Sequence, residues 1–194
     1  MTCPADAGWV TVTLTATAVT PRHGELKLET SASVEPRAAA YVTVPLPTSP
    51  HGLAREAAWT ALLLNRQGGW LDQALRLPGL ASSAHATVLG GRRAAALVIE
   101  ITAVDDKVED AVAQVRGLLD RLAHGAATAD DAAIARRRFQ QLDTRASLDP
   151  RRRIVDLWRG AGSPETADLA SLRRFQHAAF QPGREIVVYV HQQQ

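Results

Sequence analysis

Two incompatible hydrophobic periods lie side by side in the middle of this chain, and their junction limits what it can fold into. Ala96 to Ile101 is almost unbroken in apolar residues, the pattern of a central strand covered by helices. A few residues later Val108, Val112, Val115, Leu119 and Leu122 follow at intervals of four, three, four and three, which places them on one stripe of an α-helix. Asp106-Lys107-Val108-Glu109 has the spacing of a capping box, and Gly125 suits the stop. A covered strand leading into an amphipathic helix requires a layered sheet-and-helix fold.

The remaining segments fit that frame. Trp9 to Val19 alternates strictly, with Val10, Val12, Leu14, Ala16 and Ala18 on one face and four threonines on the other, as a half-buried strand does. Pro21-Arg22-His23-Gly24 supplies a turn, and Glu25 to Val34 alternates again, so the two strands are expected to form a hairpin. A third strand, Ala39 to Leu46, is expected to end at Pro45 and Pro47, because proline removes a ladder donor. A helix is predicted from about Pro50 to Arg66, stopped by Gly68-Gly69, and a shorter one from Trp70 to Leu77 runs into Pro78-Gly79. Strands Ser82 to Leu89 and Arg93 to Thr102 are joined at Gly90-Gly91. Thr128-Ala129-Asp130-Asp131 caps another helix, with Ala135, Phe139, Leu142 and Ala146 on one face. Asp149-Pro150 and Ser163-Pro164-Glu165 start two more, the last reaching about Phe180, and Glu185 to Val190 is the sixth strand.

The sum is an α+β chain with an about six-stranded, mostly antiparallel sheet and helices packed on one face. With 194 residues and 46% hydrophobic content, one domain with a sizeable core is expected across residues 1–194. It divides into an N-terminal hairpin over 1–38, a main region over 39–191 and a frayed tail over 192–194.

Composition narrows the function classes. A net charge of only +2 does not mark a polybasic protein, so no nucleic-acid partner is expected from charge. The runs Arg136-Arg137-Arg138 and Arg151-Arg152-Arg153 read as solvated helix faces, since no aromatic platform accompanies them. The lone Cys3 excludes an internal disulfide and a cysteine-rich metal site. No 18-residue apolar run and no secretory leader pattern occur, so a soluble chain without a membrane partner is expected. The six histidines are scattered through separate elements, and Ser82, Ser83 and His85 lack a Gly-x-Ser-x-Gly elbow.

From about Tyr41 to Val190 the chain resembles a half-domain of the pitrilysin and insulinase (M16) zinc peptidases. The resemblance rests on the Ala57 to Leu64 helix, Trp70-Leu71 leading to Leu75-Arg76, and the Gly79-Leu80-Ala81 turn. It extends through Thr128-Ala129-Asp130-Asp131 with Ala135-Arg136 and the closing Pro182-Gly183-Arg184-Glu185-Ile186-Val187-Val188. It implies a peptidase built from paired half-domains that enclose peptides. Zinc is held there by a helix carrying His-x-x-Glu-His and by a later Glu.

That motif is missing here. The nearest imitation, His51 and Glu56, is five residues apart and would point the two groups about 140° apart on a helix. No catalytic or metal-binding residue is therefore assigned, and zinc is expected only in a partner half. The opposite half in active members supplies an arginine and a tyrosine that hold substrate. By resemblance the arginine is Arg76, Ser82 stands at the tyrosine position, and Arg76, Gly79, Leu80, Ala81 and Ser82 form the expected substrate-binding stretch. Arg76 suits a peptide carbonyl or carboxylate, and equally a surface position near a helix C-terminus. Trp70, beside Gly68-Gly69, is a core anchor or an interface residue. The expected role is a non-catalytic subunit that binds peptide or scaffolds a zinc-bearing half. The alternative is a self-associating module without a part in proteolysis.

Overall fold

The computed structural model describes residues 24–30, 38–49, 52–53, 55–90, 94–103, 105–147 and 168–192. Its main sheet has five strands: β1 (Gly24–Thr30), β2 (Ala38–Leu46), β5 (Ser83–Gly90), β6 (Ala95–Ala103) and β7 (Ile186–Gln192), in the order β1-β7-β2-β6-β5. The β7–β2, β2–β6 and β6–β5 pairs are antiparallel, and β1 lies parallel to β7, with Leu26 opposite Val188. Two short strands, β3 (Thr48–Ser49) and β4 (Gly52–Leu53), form a separate ribbon.

Six strands were expected in the sheet and five are found among the described residues. The Trp9 to Val19 strand, and with it the N-terminal hairpin, lies outside them. Strand β7 continues past Val190 to Gln192, so the pairing with Thr30 takes one residue from the expected tail.

Four α-helices are described: α1 (Arg55–Leu64), α2 (Val108–Ala123), α3 (Ala129–Ser147) and α4 (Leu169–Ala179). Helix α1 starts later than expected because Gly52 and Leu53 pair back onto Ser49 and Thr48. The helix expected from Asp149-Pro150 and the Ser163-Pro164 start lie outside the described residues. The capping box expected at Asp106 is not used: a 3-10 turn, Asp105–Lys107, precedes α2, and Lys107 stands at the N-cap without a side-chain hydrogen bond. The Thr128–Asp131 box is present, with the Asp131 N–H donating to Thr128 Oγ1 at 3.1 Å and the Thr128 N–H to Asp131 Oδ2 at 3.0 Å. Helix α4 carries a reciprocal box of its own between Asp168 and Ser171.

Alternation sorts each strand into two faces. Val42 and Val44 of β2, Leu97, Ile99 and Ile101 of β6, Ala86 of β5, and Val187 and Tyr189 of β7 point into the core. Helices α1, α2 and α4 cover that face. The whole expected stripe Val108, Val112, Val115, Leu119 and Leu122 is buried there. Helix α3 forms an outer layer on α1 and α4, around Trp59, Leu63, Ala135 and Leu172. The opposite sheet face carries exposed Glu100, His85 and Thr87 beside half-buried Tyr41, Val98 and Val188.

Candidate functional site

After α1 the chain tightens through Gly69, where an added Cβ would meet Arg66 O at 2.6 Å and Leu63 O at 2.7 Å. The expected helix from Trp70 to Leu77 is mostly a π turn, Asp72–Arg76, in which the Leu77 N–H donates to Asp72 O at 2.9 Å. Wide turns of this kind re-aim side chains. Leu71 and Leu75 remain anchored in the core. The turn ends when the Leu80 and Ala81 N–H groups both donate to Leu75 O, at 2.9 and 3.2 Å. Gly79 sits at φ 71°, a left-handed conformation that glycine adopts without penalty. Lys107, just ahead of α2, donates from Nζ to Gly79 O at 3.2 Å and ties the turn to the helix layer.

This geometry separates the five expected residues. Arg76 is exposed on the outer side of the turn, and its guanidinium pairs with Asp72 at 2.9 Å. Asp72 also accepts the Gly68 N–H at 2.7 Å, and that backbone bond, followed by Arg76, holds its carboxyl below the usual range. An exposed pair is weak and salt-screened, so Arg76 is positioned by Asp72 without being locked to it. Ser82 faces the sheet: its Oγ donates to Thr102 O at 3.0 Å, beside its own N–H at 2.8 Å. Ala81 turns into the core and Leu80 is half-buried. Leu77, at 76% exposed, projects from the tip.

Leu80 forms part of an open cleft of about 420 Å³ between this turn and α2. Trp70, Pro78 and Leu80 line one side, Leu118 and Leu122 the other, and Gln73, Gln114 and Arg121 bring polar groups to it. Arg76 does not line the cleft. Sequence reading passed over Gln73, Gln114 and Arg121. The signal available for Arg121 was the absence of a carboxylate at its helical neighbours, Gly117, Leu118, His124 and Gly125.

The described residues do not build a zinc site: no three His, Cys, Asp or Glu side chains converge among them. His124 Nδ1 lies 2.8 Å from Asp120 O and His177 Nδ1 lies 3.1 Å from Ala123 O, while His85 is exposed on β5. Arg136, Arg137 and Arg138 are exposed on α3, and Arg151 to Arg153 lie outside the described residues. Among the described residues no helix is long and apolar enough to cross a membrane.

By sequence the chain matches no protein-family model and none of the curated proteins. By structure it is similar to M16-like proteins. The inactive peptidase domain of a Bordetella parapertussis protein superposes with a TM-score of 0.69 at 17% identity, over 81% of this chain and 93% of that one. The M16 inactive domain from Pseudomonas fluorescens gives 0.68 at 12% identity, over 90% of this chain and 45% of that one. An M16-like protein from Alicyclobacillus acidocaldarius gives 0.71 at 13% identity, over 89% and 44%. The chain thus has the fold of an M16-like peptidase domain, a fold that includes inactive domains. It spans nearly the whole of the Bordetella domain and less than half of the other two chains.

Proposed function

We propose that the chain is a non-catalytic M16-like half-domain that holds peptide for, or scaffolds, a zinc-bearing half in another part of the same protein or in a separate subunit. The observation that carries this reading is the similarity of its fold to inactive M16 domains, joined to a sequence without His-x-x-Glu-His. In this reading zinc belongs to the partner half, and the turn from Arg76 to Ser82 faces it. Arg76 meets substrate carbonyls or carboxylates from the exposed side of the turn, while Gly79, Leu80, Ala81 and Ser82 fix the course of the backbone that carries it.

The test is affinity purification of the tagged full chain from its native cell, with zinc and peptidase activity measured on what is recovered. A co-purifying chain that bears His-x-x-Glu-His, binds zinc and cleaves peptides is the expected result. Zinc bound near one per chain by the purified protein alone, or chelator-sensitive cleavage by it, overturns the reading. Recovery of self-copies only favours a self-associating module instead.

A further inference from the structure

The cleft between the 70–80 turn and α2 holds an unused cation. Among the described residues Arg121 has neither a carboxylate nor a hydrogen-bond partner for its guanidinium, and it is the arginine that lines the cleft. Its setting keeps it so. No acidic residue lines the cleft, and the position one turn back is Gly117, where Arg121 Nη1 lies 3.8 Å from the place a Cβ would occupy. The side chain therefore folds along the bare helix surface at the cleft mouth.

The rest of the lining is complementary to a short stretch of peptide. Leu118 and Leu122 are buried, at 4% and 1% exposed, and form an apolar floor, with Trp70 and Leu80 as walls. Gln73 and Gln114 add carboxamides, each able to donate and accept, as a peptide unit requires. Gln73 already donates to Gly68 O at 2.9 Å, which fixes its direction. A volume of about 420 Å³ lies within the range of roughly 300–1,000 Å³ typical of ligand sites.

We infer that this cleft binds a peptide segment with an apolar side chain next to a carboxylate, the apolar group between Trp70 and Leu122 and the carboxylate on Arg121. The carboxylate is that of an Asp or Glu side chain or of a free C-terminus, since a guanidinium fork fits either. The inference rests on the peptide-holding reading above. It assigns the specificity to Arg121, a residue remote in sequence from the Arg76 to Ser82 stretch.

Three probes separate the cases: acetyl-Leu-Glu-Leu-amide, acetyl-Leu-Gln-Leu-amide, and acetyl-Leu-Leu with a free C-terminus. Each is titrated into the isotope-labelled full chain while the Trp70 indole and Arg121 Nε–H signals are followed. At least one carboxylate probe is expected to saturate both signals, about tenfold or more tightly than the neutral probe, as one charge-assisted hydrogen bond would give. Which of the two binds identifies the source of the carboxylate. Arg121→Gln should abolish the preference and its salt dependence without changing the fold signals, and Arg121→Lys should restore part of it. Equal binding of the neutral probe, a preference that survives Arg121→Gln, or no saturation by any probe overturns the inference. None of these outcomes bears on whether the chain co-purifies with a zinc-bearing half.

Discussion

Asn65 and Ala86 exchange two hydrogen bonds: Asn65 Nδ2 donates to Ala86 O at 2.6 Å, and the Ala86 N–H donates to Asn65 Oδ1 at 2.7 Å. The carboxamide of a residue just past α1 thus occupies the place a neighbouring strand would take along β5, the outermost strand of the sheet among the described residues. An open strand edge is a template for pairing with another chain, and here it is filled at its middle by a side chain. Asn65→Ala should destabilise the fold by about 1–3 kcal/mol, the cost of leaving partly buried backbone groups unpaired. It should also raise concentration-dependent association. Urea unfolding and sedimentation velocity check both, and a variant as stable and as monodisperse as the parent refutes the role.

Gly69 and Gly79 flank the π turn for different reasons, and alanine distinguishes them. At Gly79 an added Cβ meets nothing within 4 Å, so Gly79→Ala should cost only the left-handed strain, about 1–2 kcal/mol. At Gly69 the Cβ would press on two backbone carbonyls, Arg66 O and Leu63 O, which cannot rotate away. Gly69→Ala should therefore lower the melting temperature further than Gly79→Ala, and the reverse order would show that the turn is not held as described.

The α1–α4 contact contains polar atoms without partners. Gln176 is fully buried; its Nε2 makes a long 3.4 Å bond to Thr60 Oγ1, and neither its Oε1 nor Trp59 Nε1 has a partner among the described residues. Replacing a poorly satisfied buried amide by an apolar side chain of similar shape is nearly neutral or stabilising. Gln176→Met should change the unfolding free energy by about −0.5 to +1.5 kcal/mol, a positive value meaning greater stability. Leu172→Ala, in the same layer, should cost about 2–5 kcal/mol. Denaturant titrations of the two variants measure the contrast, and a loss at Gln176 as large as at Leu172 would mean the amide is needed.

The two ends of the pH scale are set by different groups. The Tyr41 phenol is raised above its ordinary 10.0, first by burial and then by the Glu100 charge and hydrogen bond across the β2–β6 pair. The folded chain then holds that proton more tightly than the unfolded one, so the contribution is complete below about pH 10 and declines as the pH rises beyond it. Tyr41→Phe should flatten that alkaline slope. Asp72 and Asp168 are lowered from 3.8, chiefly by the Gly68 and Ser171 backbone N–H groups. Their contributions are present above about pH 4 and fade as the pH falls below it, and Asp168→Asn should flatten the acid limb. Melting temperatures between pH 2 and pH 11 decide each case.

What could be read from sequence follows the range of the physics involved. The α2 stripe, the β5–β6 pair and the Thr128 cap are local patterns, and the structure contains all three. The Asp106 box was equally legible but lost to a 3-10 turn that moved the helix start to Val108. Asp168 and Ser171 carry the same spacing without the Glu or Gln that announces a box, so the cap went unread. The expected peptide stretch is one turn in sequence, yet its groups face different ways: Arg76 toward Asp72, Ser82 toward Thr102, Leu80 toward α2. Only the folded chain brings Trp70 and Arg121 to one cleft, because no periodicity links residues that far apart.

The position of β7 also has a consequence for how the chain is made. Residues 186–192 lie between β1 and β2 in the sheet, so among the described residues β1 has no paired strand and β2 has one bare edge until β7, the latest of the described strands to be made, is available. During synthesis the β2–β6–β5 hairpin layer and α2 can assemble early, while residues 24–30 must wait for a partner more than 150 residues downstream. Loop closure over that distance is slow, and the waiting edges are exposed to mispairing. The nascent chain is therefore most vulnerable in the interval just before β7 emerges, which is when a chaperone would be expected to bind it.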